Sequence, residues 1–204
     1  MSFNLMRILH SGRKHLYPIT WLSRYRHDKT KVAWQTPDPG WTKLNFDGSF
    51  REKTGVASIG GAFRNHKAEF LLGYSEQIGR TTCTVAELSA LYRGLEIVLE
   101  NGWENVWVEG DPKTLVEIIV NRRKVRCQHA HRLVRDINLI MPELNNCILT
   151  HIYREGNKVA DMLARMAHDS KHPRMWRQDP PEEIVGIIRT DKEGKGILRN
   201  IKSK

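Results

Sequence analysis

Four acidic residues stand where the local sequence pattern changes, and they are the residues whose type and spacing could carry chemistry: Asp47, Glu87, Asp111 and Asp161. Each alone has an ordinary structural explanation, as a turn residue, a helix cap or a partner of a helix dipole. If the four converge, carboxylates about 4 Å apart repel one another by about 4 kcal/mol per pair at an effective dielectric of about 20. Such a cluster requires a cation to neutralise it.

The ligand atoms indicate which cation this would be. Carboxylate oxygens without a nearby His or Cys partner favour Mg²⁺, and four carboxylates balance two divalent ions. Two such ions about 3.5–4 Å apart can activate a water and stabilise a leaving oxygen in phosphodiester hydrolysis. The residues therefore indicate a nuclease that uses two Mg²⁺ ions, with Mn²⁺ as a substitute, held by the four acids.

The first acid follows a predicted strand. Residues 43–50 alternate in character, with Leu44 and Phe46 on the apolar side, and the Asp47-Gly48 pair ends the alternation. Two interpretations remain open for this pair. It makes a hairpin turn, or it places a carboxylate at a strand's end beside a glycine that lets another backbone come close.

The second acid lies in the clearest helix of the chain. Apolar residues recur at helical spacing over residues 85–99, and the Asn101-Gly102 pair closes the helix. Glu87 is expected in the first turn. There it either completes a capping box that begins at Thr84 or faces the predicted metal site.

The other two acids are predicted at comparable positions. Residues 105–110 form a short strand, and the Asp111-Pro112 pair directly after it is a strong helix start. Asp161 lies one turn into a helix predicted over residues 157–167. A strand that leads directly into a helix suggests parallel strands, whose carboxyl ends gather ligands, so the four acids are expected to meet at that edge.

Further elements fill the rest of the central region. Residues 56–64 and 69–78 are predicted as two strands of a meander, with the Gly60-Gly61 pair as a bulge or a place of close backbone approach. A helix is predicted over residues 133–144 and a strand over residues 147–153.

Charge divides the chain into three predicted parts. Lys and Arg outnumber Asp and Glu by 7 to 2 in a basic arm and linker (residues 1–40), by 18 to 16 in a central domain (residues 41–171) and by 8 to 5 in a basic extension (residues 172–204). This extension is predicted to be irregular or partly ordered, although residues 184–188 could pack as a short element. The net charge of +10 suggests a polyanionic partner, most simply nucleic acid. The acid-free first 27 residues are a transit peptide, a flexible nucleic-acid-binding arm or the remnant of a longer sequence.

The remaining composition excludes several classes. The three cysteines, Cys83, Cys127 and Cys147, are odd in number and widely spaced, which argues against disulfides and a zinc site and fits a reducing intracellular compartment. No uncharged apolar run approaches the roughly 20 residues that cross a bilayer. We expect a soluble monomer with no membrane partner, in a compartment that the sequence leaves open.

Four motifs in order resemble the type 1 ribonuclease H family, most closely its plant and retroelement-related branch: Asp47-Gly48-Ser49, Thr81-Thr82 before Ala86-Glu87-Leu88, Glu109-Gly110-Asp111, and Asn157-Lys158-Val159-Ala160-Asp161-Met162-Leu163-Ala164. The resemblance covers about residues 41–171. It implies an α/β fold with a five-stranded mixed sheet flanked by helices. It also implies cleavage of the RNA strand of RNA–DNA hybrids, with Asp47 bridging both ions on a central strand.

The resemblance assigns roles residue by residue. The four acids would be the catalytic metal ligands. The residues that would contact the hybrid are Gly48, Ser49, Thr82, Cys83, Thr84, Arg122, Arg123, Lys124 and Arg126. Contacts to 2′-hydroxyl groups would distinguish RNA from DNA.

Two departures from the family pattern qualify these roles. The segment over residues 154–157 is short and lacks the histidine that bacterial members carry before the last acid, and His151 is expected to be structural because it falls inside a predicted strand. Cys83 stands where many relatives have a polar residue that contacts the hybrid. A catalytically silent binding module of the same fold and a related exonuclease therefore remain alternatives.

Overall fold

The structure, a computed structural model, describes residues 7–10, 31–112, 115, 117–119, 125 and 127–198. Its strands are β1 (Arg7–His10), β2 (Lys31–Val32), β3 (Thr42–Arg51), β4 (Val56–Arg64), β5 (Phe70–Arg80), β6 (Asn105–Gly110), β7 (Asn146–His151), β8 (Arg174–Arg177) and β9 (Ile197–Leu198). The helices with defined bounds are α1 (Cys83–Glu100), α2 (Gln128–Ile140), α3 (Lys158–Met166) and α4 (Glu182–Lys192). Short 3₁₀ turns cover Met141–Glu143, Arg154–Gly156 and Ala167–Asp169.

Seven of the described strands form one mixed sheet in the order β1-β7-β6-β3-β4-β5-β8, and β2 and β9 pair separately. β3 pairs in parallel with β6, and β6 in parallel with β7. The pairs β3–β4 and β4–β5 are antiparallel, which confirms the predicted meander. The predicted α/β fold with a mixed sheet is therefore confirmed, and the five predicted strands form its centre.

The sheet has two more strands than the five predicted. β1 covers one edge by pairing with β7, and β8 covers the other by pairing with β5. Both lie in segments that the sequence suggested were arms. Unpaired edges expose backbone donors and acceptors, and short flanking strands satisfy them.

The C-terminal segment forms β8 and α4, so it is more ordered than the largely irregular extension that the sequence suggested. The short packed element predicted over residues 184–188 is confirmed as part of α4. Ile184 of α4 is fully buried in a cluster with Phe70 and Leu163. Apolar residues at 184, 187 and 188 give α4 one apolar stripe. This stripe is the physical reason why the segment packs on the sheet.

The two faces of the sheet are covered by different helices. α1 and α2 share the larger core with one face, while α3 and α4 pack near the other. Core residues that join the first face to its helices are Leu44, Phe46, Ile59, Phe63, Leu88, Leu91, Leu95, Val106, Val108, Leu133 and Ile137. The predicted helix over residues 85–99 is confirmed, and Asn101 is its C-cap.

Candidate active site

Asp47 lies within β3 and not at its end, so the prediction that the Asp47-Gly48 pair terminates the strand or makes a hairpin turn is wrong. The strand continues to Arg51, and the chain turns at residues 52–55, where Gly55 has a φ of 69°. The parallel pairing with β6 nevertheless stops at the Phe46–Gly110 pair. Asp47 is therefore the first residue beyond the end of β6, which leaves an opening beside its carboxylate.

Gly48 brings β3 against the start of α1. A Cβ atom on Gly48 would lie 2.5 Å from the backbone nitrogen of Glu87, closer than side chains tolerate. The Gly48 amide instead donates a hydrogen bond of 3.0 Å to Oε2 of Glu87. The predicted close approach of another backbone is confirmed, and it fixes the second acid beside the first.

Glu87 lies beyond the first turn of α1, so its predicted position in that turn is wrong. The helix begins at Cys83, and its N-cap is Thr82, whose Oγ1 accepts a hydrogen bond of 3.3 Å from the amide of Val85. A capping box that begins at Thr84 is therefore excluded. The Glu87 side chain is buried and points to β3 instead of capping its own helix.

Asp111 completes a group of three carboxylates. It directly follows β6, and the helical conformation of Leu115 and residues 117–119 agrees with the helix start predicted after it. Carboxylate oxygens of Asp47, Glu87 and Asp111 all lie within 4.8 Å of one another. The opening at the end of β6 thus gathers acids from β3, α1 and the end of β6.

This gathering is electrostatically costly without a counter-ion. Burial raises the pKa of Asp47 well above its ordinary value, and the charges of Asp111 and Asp161 raise it further. Burial likewise raises the pKa of Glu87, with a further contribution from Asp47. The pKa of Asp111 is also raised, chiefly by burial.

The donor set fits a hard divalent cation. Asp47, Glu87 and Asp111 offer only carboxylate oxygens, which are the ligands that Mg²⁺ and Mn²⁺ prefer. A bound cation would also favour the charged forms of these three groups, which burial and mutual repulsion disfavour.

Asp161 lines the same cavity but lies outside the group of three. It stands in the first turn of α3, as predicted. Its Oδ1 accepts a hydrogen bond of 3.0 Å from Nη2 of Arg154, and its Oδ2 lies 3.1 Å from Nε of Arg165. Sequence reasoning did not single out these arginines, although the spacing of four residues between Asp161 and Arg165 is typical of a helical ion pair.

A second side chain joins the segment before α3 to β3. The Asn157 side-chain amide donates a hydrogen bond of 2.9 Å to the carbonyl oxygen of Phe46, the residue before Asp47. On the neighbouring strand β4, a Cβ atom on Gly60 would lie 2.2 Å from the backbone nitrogen of Ala164 in α3. The predicted close approach at Gly60 is therefore confirmed, and α3 is held close to β3 and β4.

The cavity around the acids has a volume of about 490 Å³, and Gly48, Ser49 and Cys83 also line it. Thr82, Cys83 and Thr84 are exposed at the start of α1. Although the Cys83 residue is exposed, partial desolvation of its thiol by its neighbours, followed by the charge of Glu87, raises the pKa of that thiol. These residues are placed where a substrate could reach them, and their contacts with a hybrid stay a prediction.

Ser49 has a partner that the sequence did not reveal. Nε2 of His168 lies 3.0 Å from Oγ of Ser49 across the domain. Burial and the charge of Arg51 lower the pKa of His168. No local signal in the sequence links two residues this far apart.

His151 is the last residue of β7, and its ring meets the ring of Tyr153 edge-on at 5.1 Å. With Asp111 and Asp161 it also lines a second open cavity beside the first. Its expected structural role stays a prediction. The basic cluster of Arg122, Arg123, Lys124 and Arg126 lies outside the described residues.

The three cysteines, all within the described ranges, are free. No helix in the described part of the chain combines the length and apolar character needed to cross a membrane.

Comparison with known sequences places the domain in a family. A family model described as "Reverse transcriptase-like" matches residues 45–167. A protein of Arabidopsis thaliana named "Putative ribonuclease H protein" is 35% identical over 174 residues, which cover 84% of this chain and 27% of that protein. Ribonuclease HI of Halobacterium salinarum is 25% identical over 124 residues, which cover 61% of this chain and 62% of that protein. The chain thus spans less than two thirds of the length of either relative.

Solved structures agree with the fold. RNase H1 from the archaeon Halobacterium salinarum matches with a TM-score of 0.60 at 24% identity, over 63% of this chain and 98% of that chain. LC11-RNase H1, isolated from compost by a metagenomic approach, was solved in complex with an RNA/DNA hybrid. It matches with a TM-score of 0.58 at 32% identity, over 63% of this chain and 96% of that chain. The chain therefore belongs to the reverse transcriptase-like family and has a ribonuclease H-like fold.

Proposed function

We propose that this chain cleaves the RNA strand of RNA–DNA hybrids internally, with divalent cations held by its acid cluster. The observation that carries the proposal is the meeting of Asp47, Glu87 and Asp111, whose carboxylate oxygens lie within 4.8 Å of one another. LC11-RNase H1, whose structure holds an RNA/DNA hybrid, supports this class of substrate at 32% identity.

In this proposal Asp47, Glu87 and Asp111 hold a first Mg²⁺ ion, with Mn²⁺ as a substitute. Asp161 completes a second site that shares Asp47. Divalent ions held by these four acids would supply activation of a water nucleophile and stabilisation of the 3′ leaving oxygen. The protein contributes the positions of the ligands, because the Gly48 amide orients Glu87 and the Asn157 amide ties the segment that carries Asp161 to β3.

The same cavity wall gives the proposed substrate its contacts. Gly48 and Ser49 continue β3 along the cavity, and Cys83 lines it from the start of α1. A strand placed there would lie beside both the acids and these small residues. Hydrogen bonds from this wall to 2′-hydroxyl groups would select RNA over DNA.

The test is cleavage of an end-labelled RNA–DNA hybrid by the full chain, with Mg²⁺ and with EDTA, beside the Asp47→Asn variant. Internal cuts in the RNA strand that require Mg²⁺ and disappear in the variant are the expected result. The matched control is Asp136→Asn, an acid on α2 that pairs with Arg135 at the surface.

A substrate panel separates this function from its alternatives. Salt-sensitive binding of the hybrid without any cleavage would replace the proposal with a silent binding module. Shortening of the labelled RNA only from one end would indicate an exonuclease. Equal cutting of double-stranded RNA and the hybrid would contradict the proposed substrate class.

A further inference from the structure

Asp161 differs from the other three acids in what it contacts. Both of its carboxylate oxygens face guanidinium groups, Arg154 at 3.0 Å and Arg165 at 3.1 Å. Carboxylate–guanidinium contacts at such distances are charge-assisted, and two of them neutralise Asp161 without a metal ion. Among the described residues, no such contact with a guanidinium group is seen for Asp47, Glu87 or Asp111.

The two arginines are also close to the rest of the acid cluster. Arg154 and Arg165 both line the cavity that contains Asp47 and Glu87. The charge of Arg154 opposes the raised pKa of Asp47, of Glu87 and of Asp111. Arg154 therefore acts on the whole cluster, and not only on its hydrogen-bond partner.

The contacts of Asp161 with Arg154 and Arg165 are exposed enough to be replaced by other partners. The side chain of Arg154 is 64% exposed and that of Arg165 is 54% exposed, whereas Asp161 is 18% exposed. Exposed ion pairs are weak, because water and salt compensate for their loss. A divalent ion at Asp161 would have to approach two positive charges, so its binding would be opposed until both guanidinium groups move away.

We propose that Arg154 and Arg165 are positioning residues that neutralise Asp161 in the absence of a metal ion. A second divalent ion then binds at Asp161 only by displacing these two guanidinium groups. The inference rests on the proposed function for the identity of the site. It implies that the site fills in two steps, first at Asp47, Glu87 and Asp111 and then, at higher metal concentration, at Asp161. Phosphate groups of a substrate would compete with Asp161 for the same guanidinium groups and would therefore favour the second step.

The test is a titration of the full chain with Mn²⁺ in the absence of nucleic acid, with the free ion followed by electron paramagnetic resonance. The wild-type chain is expected to show one tighter and one weaker site. In the Arg154→Gln/Arg165→Gln variant the weaker site should tighten about three- to tenfold, as expected when two exposed ion pairs are removed. The tighter site should change less.

The control variant is Arg135→Gln/Arg189→Gln, which removes two exposed positive charges from α2 and α4. Its weaker site should keep the wild-type affinity, and the Asp161→Asn variant should lose that site. The proposal would be rejected if the control variant bound Mn²⁺ at the weaker site as tightly as Arg154→Gln/Arg165→Gln does. It would also be rejected if the affinity of the weaker site in Arg154→Gln/Arg165→Gln were unchanged or lower than in the wild-type chain. Thermal unfolding of every variant verifies that the chain has folded.

Hybrid cleavage by the same wild-type preparation distinguishes the two possible failures. Cleavage together with an unchanged weaker site in the double variant would reject the displacement of the arginines and keep the proposed function. Two-step Mn²⁺ binding without cleavage, with the expected tightening in the double variant, would reject the proposed function and support the displacement of the arginines by a metal ion. Absence of Mn²⁺ binding in the wild-type chain would reject both.

Discussion

At the scale of single residues, Asp47 combines a proposed catalytic role with a cost to stability. Its carboxylate is buried beside Asp111 and Asp161, and these surroundings raise its pKa. We expect Asp47→Asn to abolish cleavage and, in EDTA near neutral pH, to increase the free energy of unfolding, because the raised pKa means that the charged carboxylate destabilises the fold. Urea denaturation with EDTA and the hybrid assay measure the two effects.

The outcome for Asp47→Asn separates an active site from a structural one. A variant that unfolds more easily than the wild-type chain would mean that Asp47 holds the fold together. A variant that retains near wild-type cleavage would contradict its role in the reaction. Asp136→Asn should change neither quantity.

The same residues predict how the stability of the metal-free chain depends on pH. The folded-state pKa values of Asp47 and Glu87 lie above their unfolded values, so the folded chain binds protons more readily. Their contribution to stability is complete below the unfolded carboxyl pKa of about 4 and is lost as the pH rises through the raised folded values. Melting temperatures in EDTA should therefore fall over this range, more steeply for the wild-type chain than for Asp47→Asn. A parallel decline in both would contradict this assignment, and saturating Mg²⁺ should reduce the decline.

Residue types alone were sufficient to select the four acids, because each stands at a change in the sequence pattern. They did not reveal the partners of these acids. Arg154 and Arg165 look like ordinary exposed helix-end charges in the sequence, and His168 has no local relation to Ser49. The pairings of Arg154 with Asp161 and of His168 with Ser49 depend on how the elements pack, whereas the four-residue spacing of Asp161 and Arg165 was a local signal that was not used.

At the scale of elements, the contact of β3 with α1 depends on Gly48. A Cβ atom there would meet backbone atoms of Ala86 and Glu87 at 2.5–2.6 Å, and backbone cannot move aside as a flexible side chain can. We expect Gly48→Ala to cost about 1–3 kcal/mol of stability through overpacking and to reduce cleavage by shifting Glu87. The unfolding free energy and kcat on the hybrid are the measurements.

Gly186→Ala is the matched control, because nothing lies within 4 Å of a Cβ atom at this position in α4. It should leave cleavage unchanged and increase stability by up to about 1 kcal/mol, the difference in helix propensity. If Gly48→Ala behaved in the same way, the close approach would not constrain the site.

The pairing of β3 with β6 contains a buried ion pair. Nζ of Lys43 lies 2.7 Å from Oε2 of Glu109 with both side chains fully buried, and the ring of Trp107 lies 3.4 Å from the same nitrogen. Burial lowers the pKa of Lys43 to about 8, although Glu109 opposes the shift. Lys43→Met should destabilise the chain by about 3–5 kcal/mol, because it leaves the buried Glu109 without this cation.

The double variant Lys43→Met/Glu109→Gln identifies the cause. It removes both charges and should recover much of the stability that Lys43→Met loses, as measured by urea denaturation. Losses that simply add would show that side-chain packing, and not the unpaired charge, determines the effect. The sequence did not predict this pair, because a lysine in an alternating strand pattern is normally assigned to the solvent side.

The elements themselves were predictable where their apolar pattern is long and regular. The meander of β4 and β5 and the helix α1 follow directly from such patterns. β3 was predicted too short, because the Asp47-Gly48 pair carries a turn signal that the neighbouring β4 overrides by pairing along the full strand. Pairing between strands is tertiary information, and it extends elements that local signals would stop.

At the scale of the whole molecule, the C-terminal segment contributes to stability. Ile184 of α4 is fully buried, and Asp191 of the same helix lies 2.6 Å from the buried guanidinium group of Arg64. We expect Ile184→Ala to lower the free energy of unfolding by about 2–4 kcal/mol, the usual cost of truncating a buried aliphatic side chain. Val185→Ala, at an exposed neighbour, should change it by less than about 0.5 kcal/mol.

The proposed domain boundaries stay predictions that a fragment can test. A chain of residues 41–171 lacks β1, β8 and α4, and the loss of the buried Ile184 alone should cost about 2–3 kcal/mol. We expect this fragment to melt at a lower temperature than the full chain. Equal melting temperatures would show that residues 41–171 form an autonomous domain and that the flanking segments only rest on it.

The sequence predicted the centre of the molecule better than its margins. The resemblance covered about residues 41–171, and the sequence predicted a basic arm before them and an irregular or partly ordered extension after them. Their edge strands are only four residues long, too short to produce a clear alternating pattern. The compartment of the protein and any role of the charged flanking regions in binding nucleic acid stay predictions.

The order of pairing around β3 has a consequence for how activity is acquired as the chain folds. β3 can pair with β4 as soon as the next dozen residues exist, but its other neighbour, β6, is separated from it by β4, β5 and α1. Contacts between distant parts of a sequence form late and slowly. A refolding or newly synthesised molecule would therefore pass through a stage with an intact meander and a scattered set of acids. The proposed catalytic competence would then be acquired only after β6 has paired with β3, and its recovery would report that long-range pairing.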